Sequence, residues 1–300
     1  MAIFETAEAP QPDARPDEAR SFDMGHMDYG KSDVRLVRVH RDGSRHRISD
    51  VRVDVLLEGR IRQGYLYGDN TDWMSTDTIR NSVYYIADQG FESSIEEFGK
   101  DLVRHYCATG PLTDRATVSI TEKLWDRIPE GTDGHDHAFV RAAGLRTASV
   151  SGDGETFQIN AGITDLQVLK TTQSGWENYL KNDLTTLAET SDRILATTAT
   201  AEWTYSQSSE VDFDATWTGV REQLLHTFGD HYSPGAQNDI YLMGRAVLKK
   251  YDVISKIHIS LPNQHHVEYD MTRFGRSNEK RVYHATAEPS GLLQGEVVRA

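Results

Sequence analysis

The chain has 300 residues, 38% hydrophobic and 9% aromatic, a globular composition long enough to bury a core unaided. Its 32 Lys and Arg against 46 Asp and Glu leave a formal net charge of −14, which repels phosphate backbones and anionic lipid and argues against nucleic acid or a membrane as partner. The single cysteine, Cys107, excludes an intrachain disulfide and a cysteine-based zinc site.

Residues 1–28 are polar, acidic and rich in Pro and Ala, and read as a flexible arm. They lack the basic start and apolar stretch of a signal peptide. The last residues, Val298-Arg299-Ala300, are not a peroxisomal address, so a cytoplasmic location is expected. Residues 34–39 and 51–57 are β-branched and apolar, with the turn pair Asp42-Gly43 between them, and predict a hairpin. In STDTIRNSVYYIADQG, Ser75, Thr76 and Asp77 are cap candidates, Ile79, Val83, Ile86 and Ala87 recur at helical spacing, and Gly90 is a natural stop. A second helix, residues 94–107, puts Ile95, Phe98, Leu102 and Tyr106 on one stripe. Cys107 at its end reads as a small buried hydrophobe. Two strands follow, one with Ala116, Val118 and Ile120 alternating, the other HAFVRA.

The second half repeats that order. Residues 145–151 and 156–163 flank Gly152-Asp153-Gly154, helices are expected over residues 213–228 and 237–251, and strands over 257–261 and 267–271. Each half thus reads as hairpin, two helices, two strands. The prediction is an α+β protein of two tandem domains, 29–143 and 144–300, each an antiparallel sheet with helices on one face.

Some stretches exceed what periodicity explains. In IHISLPNQHH, Ile257, Ile259 and Leu261 share one parity, which extended past Pro262 turns Asn263 and His265 inward and His266 outward. Inward polar groups need partners, either a substrate or the fold itself. The two histidines are neighbours on opposite faces, a poor metal pair; His135 and His137 share a face in GHDHAF and remain candidate ligands without a third. GDNTDWMSTDTIRN places Thr76 and Asp77 at a helix N-terminus, which suits an electron-rich ligand or plain capping. In VLKTTQSGWENYLKNDLTTLAETSDRI, Trp176 fits a core and Arg193 a surface ion pair equally well.

Taken in order, YGKSDVRLVRVHRD, LLEGR, GDNTDWMSTDTIRN, VLKTTQSG, TTLAETSDRIL, DFDATW, SLPNQHH and EPSGLLQG resemble the urate oxidase (uricase) family over nearly the whole chain after the arm. The resemblance implies tandem tunnelling-fold (T-fold) domains, assembled as a homotetramer into a hollow barrel with active sites between subunits. It implies oxidation of urate by dioxygen and water to 5-hydroxyisourate and hydrogen peroxide, with neither metal nor organic cofactor.

By the same resemblance Lys31, Thr76 and His265 match a proton relay. Asp77 matches a backbone donor to the purine, Arg193 a clamp on its pyrimidine edge, and Gln237 with Ala236 the opposite side of that ring. Asn263 matches the asparagine above the purine plane. Trp176 stands where the family usually stacks a phenylalanine, and Ala236 where a larger aliphatic is common, so the two are expected to compensate in volume. Trp73 and Met74 also depart from the family's small aliphatics. Two other readings stay open on the sequence: a purine-binding protein without turnover, and another T-fold purine or pterin enzyme.

Overall fold

Strand β2 (Arg47–Gly59) shows how the sheet is built. Val51, Val53, Val55 and Leu57 are buried while Arg52 and Leu56 between them are exposed. One face therefore goes under the helices and the other stays open, as a period of two dictates. A side chain as fully buried as Leu57 stabilises by about 1.5–3 kcal/mol. The structure is a computed structural model and describes residues 22–41, 43–91, 94–206 and 210–299. Most of the expected arm and Asp42 of the first turn lie outside these residues; 22–28 run without regular structure.

All strand pairings in the sheet are antiparallel. The order is β1 (Tyr29–His40), β2, β3 (Thr113–Arg127), β4 (Phe139–Gly152), β5 (Phe157–Lys170), β6 (Leu195–Tyr205), β7 (Ile254–Ser260) and β10 (Gln294–Val298). Strand β8 (Asn263–Glu268) branches from β6 and carries β9 (Tyr283–Gly291). The short α1 (Arg62–Tyr67) buries nothing. Helix α2 (Thr76–Gly90) packs on β1, and α3 (Ile95–Thr109) on β3 and β4. Helices α4 (Phe213–Gly229) and α5 (Ala236–Lys250) pack together, α4 on β5 and α5 on β7 and β10. This is the α+β, T-fold-like architecture expected, in a sheet that does not close within one chain. No helix among the described residues is long and apolar enough to cross a membrane.

Several details differ from expectation, and α1, β9 and β10 are not among the expected elements. HAFVRA and residues 145–151 are one strand, β4, because Gly144 takes φ +81° at a register shift opposite Lys123–Trp125, a bulge rather than a turn. Strand β6 is not among the expected elements: LATTATAEWTY buries Leu195, Trp203 and Tyr205 at its ends, but its middle is Ala and Thr, so no run of large apolar residues marks the alternation. Strand β8 begins at Asn263, directly after Pro262, not at 267. Cys107 is half-buried on α3, with its thiol toward the Gly152 carbonyl, and burial pushes its pKa up.

The buried hydrophobics form two clusters, one under α2 and α3, the other under α4 and α5, with Ile159 against both. Arg146 on β4 spans the two helix pairs. Its Nη2 donates to Glu96 Oε2 of α3 at 2.7 Å and its Nη1 to Asp214 Oδ1 of α4 at 2.6 Å. Glu122 faces Arg146 across β3–β4. Burial pushes the Glu122 carboxyl up to about 7 against the pull of Arg146, with Asp214, Glu96 and Asp50 adding like charge.

The sign follows. A carboxyl whose folded pKa exceeds its unfolded value holds its proton longer when folded, so its contribution is present at low pH and lost as pH rises from the ordinary glutamate range through about 7. Urea midpoints of the wild type and of Glu122→Gln, compared from pH 5 to 7.5, are expected to diverge, with the variant losing less stability on the alkaline side. Parallel curves would remove Glu122 as the cause.

Candidate functional site

Six of the nine expected site residues, Trp176, Arg193, Ala236, Gln237, Asn263 and His265, line one cavity of about 180 Å³. They come from three places in the chain. Trp176 and Arg193 lie in the long β5–β6 connection, Ala236 and Gln237 in the first turn of α5, and Asn263 and His265 on β8. Backbone hydrogen bonds fix these segments to one another. Gly175 N–H donates to Ser233 O and Ser233 N–H to Gln173 O, both at 2.8 Å. Arg193 N–H donates to Ser174 O at 2.8 Å, and Trp176 and Thr190 bond each other in both directions. The cavity floor is thus a small piece of sheet outside the main one.

Trp176 is half-buried and stacks on Tyr179, with centroids 5.7 Å apart and planes at 14°. Tyr179 in turn donates its hydroxyl to Leu187 O at 2.5 Å, so the indole is braced on its own loop. Arg193 Nε donates to Gly175 O at 3.2 Å, which fixes the plane of its guanidinium. Burial lowers its pKa, and Asp239 and Tyr232 oppose that shift. Ala236 opens α5, so its N–H is among the first-turn donors without an intrahelical acceptor.

Asn263 is buried, as the parity of β7 predicts. Its Nδ2 donates to His265 Nδ1 at 3.2 Å, and its Oδ1 is buried without a partner. An unpaired buried carbonyl costs about 1–3 kcal/mol, which a ligand donor would recover. His265 is exposed rather than inward, because β8 runs out to the rim of the cavity, yet it still lines the opening.

Lys31, Thr76 and Asp77 do not line this cavity. Lys31 is half-buried on β1 opposite Val55, beside a register shift. Thr76 and Asp77 are exposed in the first turn of α2, capped by Ser75. The Asp77 carboxylate is engaged by Arg80 at 2.6 Å and Asn81 at 2.9 Å, which leaves its backbone rather than its side chain for a ligand. Trp73 joins the two segments: its ring lies 4.4 Å from Tyr29 and 5.7 Å from Tyr65, and it rests on Gly64. The departure from small aliphatics at 73 is therefore a clamp between the start of β1 and the start of α2.

His135 and His137 form an edge-on pair, 4.5 Å between rings, and His135 Nδ1 accepts the His137 N–H at 3.2 Å. No group of three or more His, Cys, Asp or Glu placed to hold a metal occurs among the described residues.

Sequence reasoning missed Leu187, Ala188, Thr190, Gly291 and Leu293 on the cavity wall. They lie inside TTLAET and EPSGLLQG but carry no chemistry of their own. It also missed what lies beneath. Asp239 is fully buried in the first turn of α5; Ser233 Oγ donates to its Oδ1, His231 Nε2 lies 2.6 Å from the same oxygen, and Lys170 Nζ lies 4.0 Å away. Lys170 donates to Ser233 Oγ, Phe228 O and His231 O, and its burial lowers its pKa against Asp239. This ionic knot anchors Ser233, and through it both Gly175 and the turn that presents Gln237.

The fold and the cavity define an α+β, T-fold-like protein with a pocket lined by an aromatic ring, an arginine and two side-chain amides. The sequence model of the family described as uricase matches residues 27–150 and 159–294. The uricase of Arthrobacter globiformis is 39% identical over 277 residues, 92% of this chain and 90% of that protein; the uricase of Oryctolagus cuniculus is 36% identical over 278 residues, 90% and 93%. The crystal structure of the Arthrobacter globiformis uricase aligns with a TM-score of 0.88, covering 93% of this chain and 96% of that one. A Bacillus fastidious uricase at 22% identity, TM-score 0.79, shares the fold. The chain belongs to the uricase family.

Proposed function

We propose that the protein is a urate oxidase, converting urate, dioxygen and water to 5-hydroxyisourate and hydrogen peroxide. The observation that carries this reading is the convergence of Trp176, Arg193, Gln237 and Asn263 on one cavity. A planar purine needs a stacking face, a bidentate fork and a reversible amide on its edges, and a polar group over its plane. Trp176, Arg193 and Gln237 supply the first three. Asn263, with its unpaired Oδ1, supplies the fourth, over the carbon where dioxygen and then water react.

Ground-state dioxygen is a triplet and reacts poorly with closed-shell molecules. A deprotonated urate is electron-rich enough to give up an electron directly and serve as its own reductant. The protein's tasks are then to take the proton, hold the ring and exclude bulk water. His265 at the rim and the Lys31–Thr76 pair are assigned the proton transfers, and the Asp77 backbone a contact to the purine. Because those last three stand apart from the cavity in one chain, the reading places them in a second subunit of a tetrameric barrel.

Oxygen uptake by the chelator-treated protein, recorded with loss of urate absorbance and release of peroxide, tests the reaction. Equal stoichiometry of all three is expected. Urate binding without uptake would reduce the protein to a purine binder. Asp239→Asn is expected to raise KM for urate about tenfold or more, since it weakens charge-assisted bonds worth about 1.5–3 kcal/mol that hold the Gln237 turn. An unchanged KM would separate the buried knot from the site.

A further inference from the structure

Ala236 was expected to compensate for the bulk of Trp176. A close approach to the same ring lies one residue earlier. A Cβ on Gly235 would lie 2.8 Å from Cζ3 of Trp176 and 2.6 and 2.7 Å from Oε1 and Nε2 of Gln237. Real Cβ contacts essentially never come within 3.0 Å. The backbone does not demand glycine here: φ is 169°, extended geometry open to any residue. What demands it is space.

Neither neighbour retreats without consequence. The indole is held by its stack on Tyr179 and by the paired backbone bonds to Thr190. Gln237 can swing its amide away, but that amide is the group assigned to the purine edge. Gly235 itself is fixed between the anchored Ser233 and the first turn of α5, and it is buried.

We infer that Gly235 is a positioning and specificity-determining residue: the missing side chain is what lets a tryptophan, rather than a smaller ring, form the stacking wall while Gln237 stays on the substrate edge. The inference rests on the urate oxidase reading, because the role of Gln237 does. It makes 235 and 176 a coupled pair. A side chain at 235 is tolerated only when the ring at 176 is shortened by the atom it would strike.

The test is a cycle of Gly235→Ala, Trp176→Phe and the double variant, with KM and kcat for urate and the calorimetric Kd of xanthine, a purine that lacks the C8 oxygen. Gly235→Ala is expected to raise KM and the xanthine Kd about 10–100-fold, the scale of displacing a positioning group by a fraction of an ångström to an ångström. The double variant is expected to return to within a few-fold of Trp176→Phe alone, a coupling that independent sites do not show. The thermal midpoint of Gly235→Ala, recorded beside that of the wild type, separates a pocket effect from general loss of folding.

If wild type neither oxidises urate nor binds xanthine, the reading of the function fails. If wild type does both, but Gly235→Ala matches it or the two changes simply add, the inference about Gly235 fails. An unfolded Gly235→Ala whose double variant with Trp176→Phe folds and binds supports the coupling, and one that stays unfolded overturns it.

Discussion

Lys31→Met and Arg193→Met are each expected to be inactive alone and active when mixed. Lys31 is assigned to the proton relay, and losing such a group costs about 10²–10⁴-fold in rate. Arg193 is assigned to the pyrimidine edge, and a comparable loss is expected from misplaced substrate. Within one chain, Arg193 lines the cavity and Lys31 does not. If a second subunit supplies Lys31, a subunit carrying Lys31→Met still offers an intact Arg193, and one carrying Arg193→Met still offers an intact Lys31. Random assembly from equal amounts then leaves about a quarter of the sites whole, because each site draws its two halves independently.

Oxygen uptake of the two variants co-refolded at equal concentration should therefore recover to about a quarter of wild type. Separately refolded and then mixed, they should stay inactive until subunits exchange. Activity that remains at the parental level in fully exchanged hybrids would place Lys31 and Arg193 in the same site of the same chain. The exposed position of Thr76 fits recovery in hybrids, since a relay group facing solvent in the monomer has nothing to relay to.

What could be read in advance followed from pattern strength. The alternation of Val51 to Leu57 and the stripe of Ile95, Phe98, Leu102 and Tyr106 fixed β2 and α3, because burial of large apolar side chains leaves a period in the sequence. Strand β6 buries Leu195, Trp203 and Tyr205 at its ends, but between them only Ala196, Thr197, Ala199 and Ala201, residues too small and mixed to leave that trace. Parity places Asn263 inward correctly and His265 incorrectly, because β8 pairs with β6 only through Asn263 and Gln264 and beyond them with β9 alone. The cavity residues came from the family-like blocks, not from chemistry visible in isolation: Trp176 and Arg193 carried equally good structural readings.

The knot under the site was illegible for a specific reason. Asp239 in a first helical turn looks like an ordinary partner of the helix dipole, and Lys170 at a strand end looks solvated. Only the tertiary fold brings both to Ser233. Gly235, likewise, looks like a turn glycine until the indole is in place.

The second large effect concerns the joint between the two clusters. Arg146→Met is expected to lower stability by about 3–5 kcal/mol, the cost of breaking a buried pair from one side. Glu96 is fully buried, and with the guanidinium gone its carboxylate would face the core uncompensated. Its pKa is already raised by burial, with Arg146 pulling the other way. Arg146→Lys should recover only part of the loss, because one ammonium cannot reach Glu96 and Asp214 at once as the fork does at 2.7 and 2.6 Å.

Replacing the pair together should behave differently. Glu96 Oε1 and Arg146 Nε have no hydrogen-bond partner, so the ion pair carries a desolvation cost that its two short bonds only partly offset. Glu96→Leu combined with Arg146→Met is therefore expected to regain most of the stability lost by Arg146→Met. Urea unfolding at one fixed protein concentration measures all three, so that any dependence of the midpoint on self-association is held constant. A double variant as unstable as Arg146→Met would mean that the arginine acts mainly through Asp214, Glu122 and its contact over Trp217, 5.4 Å from the ring, and that Glu96 is a bystander in holding the halves together.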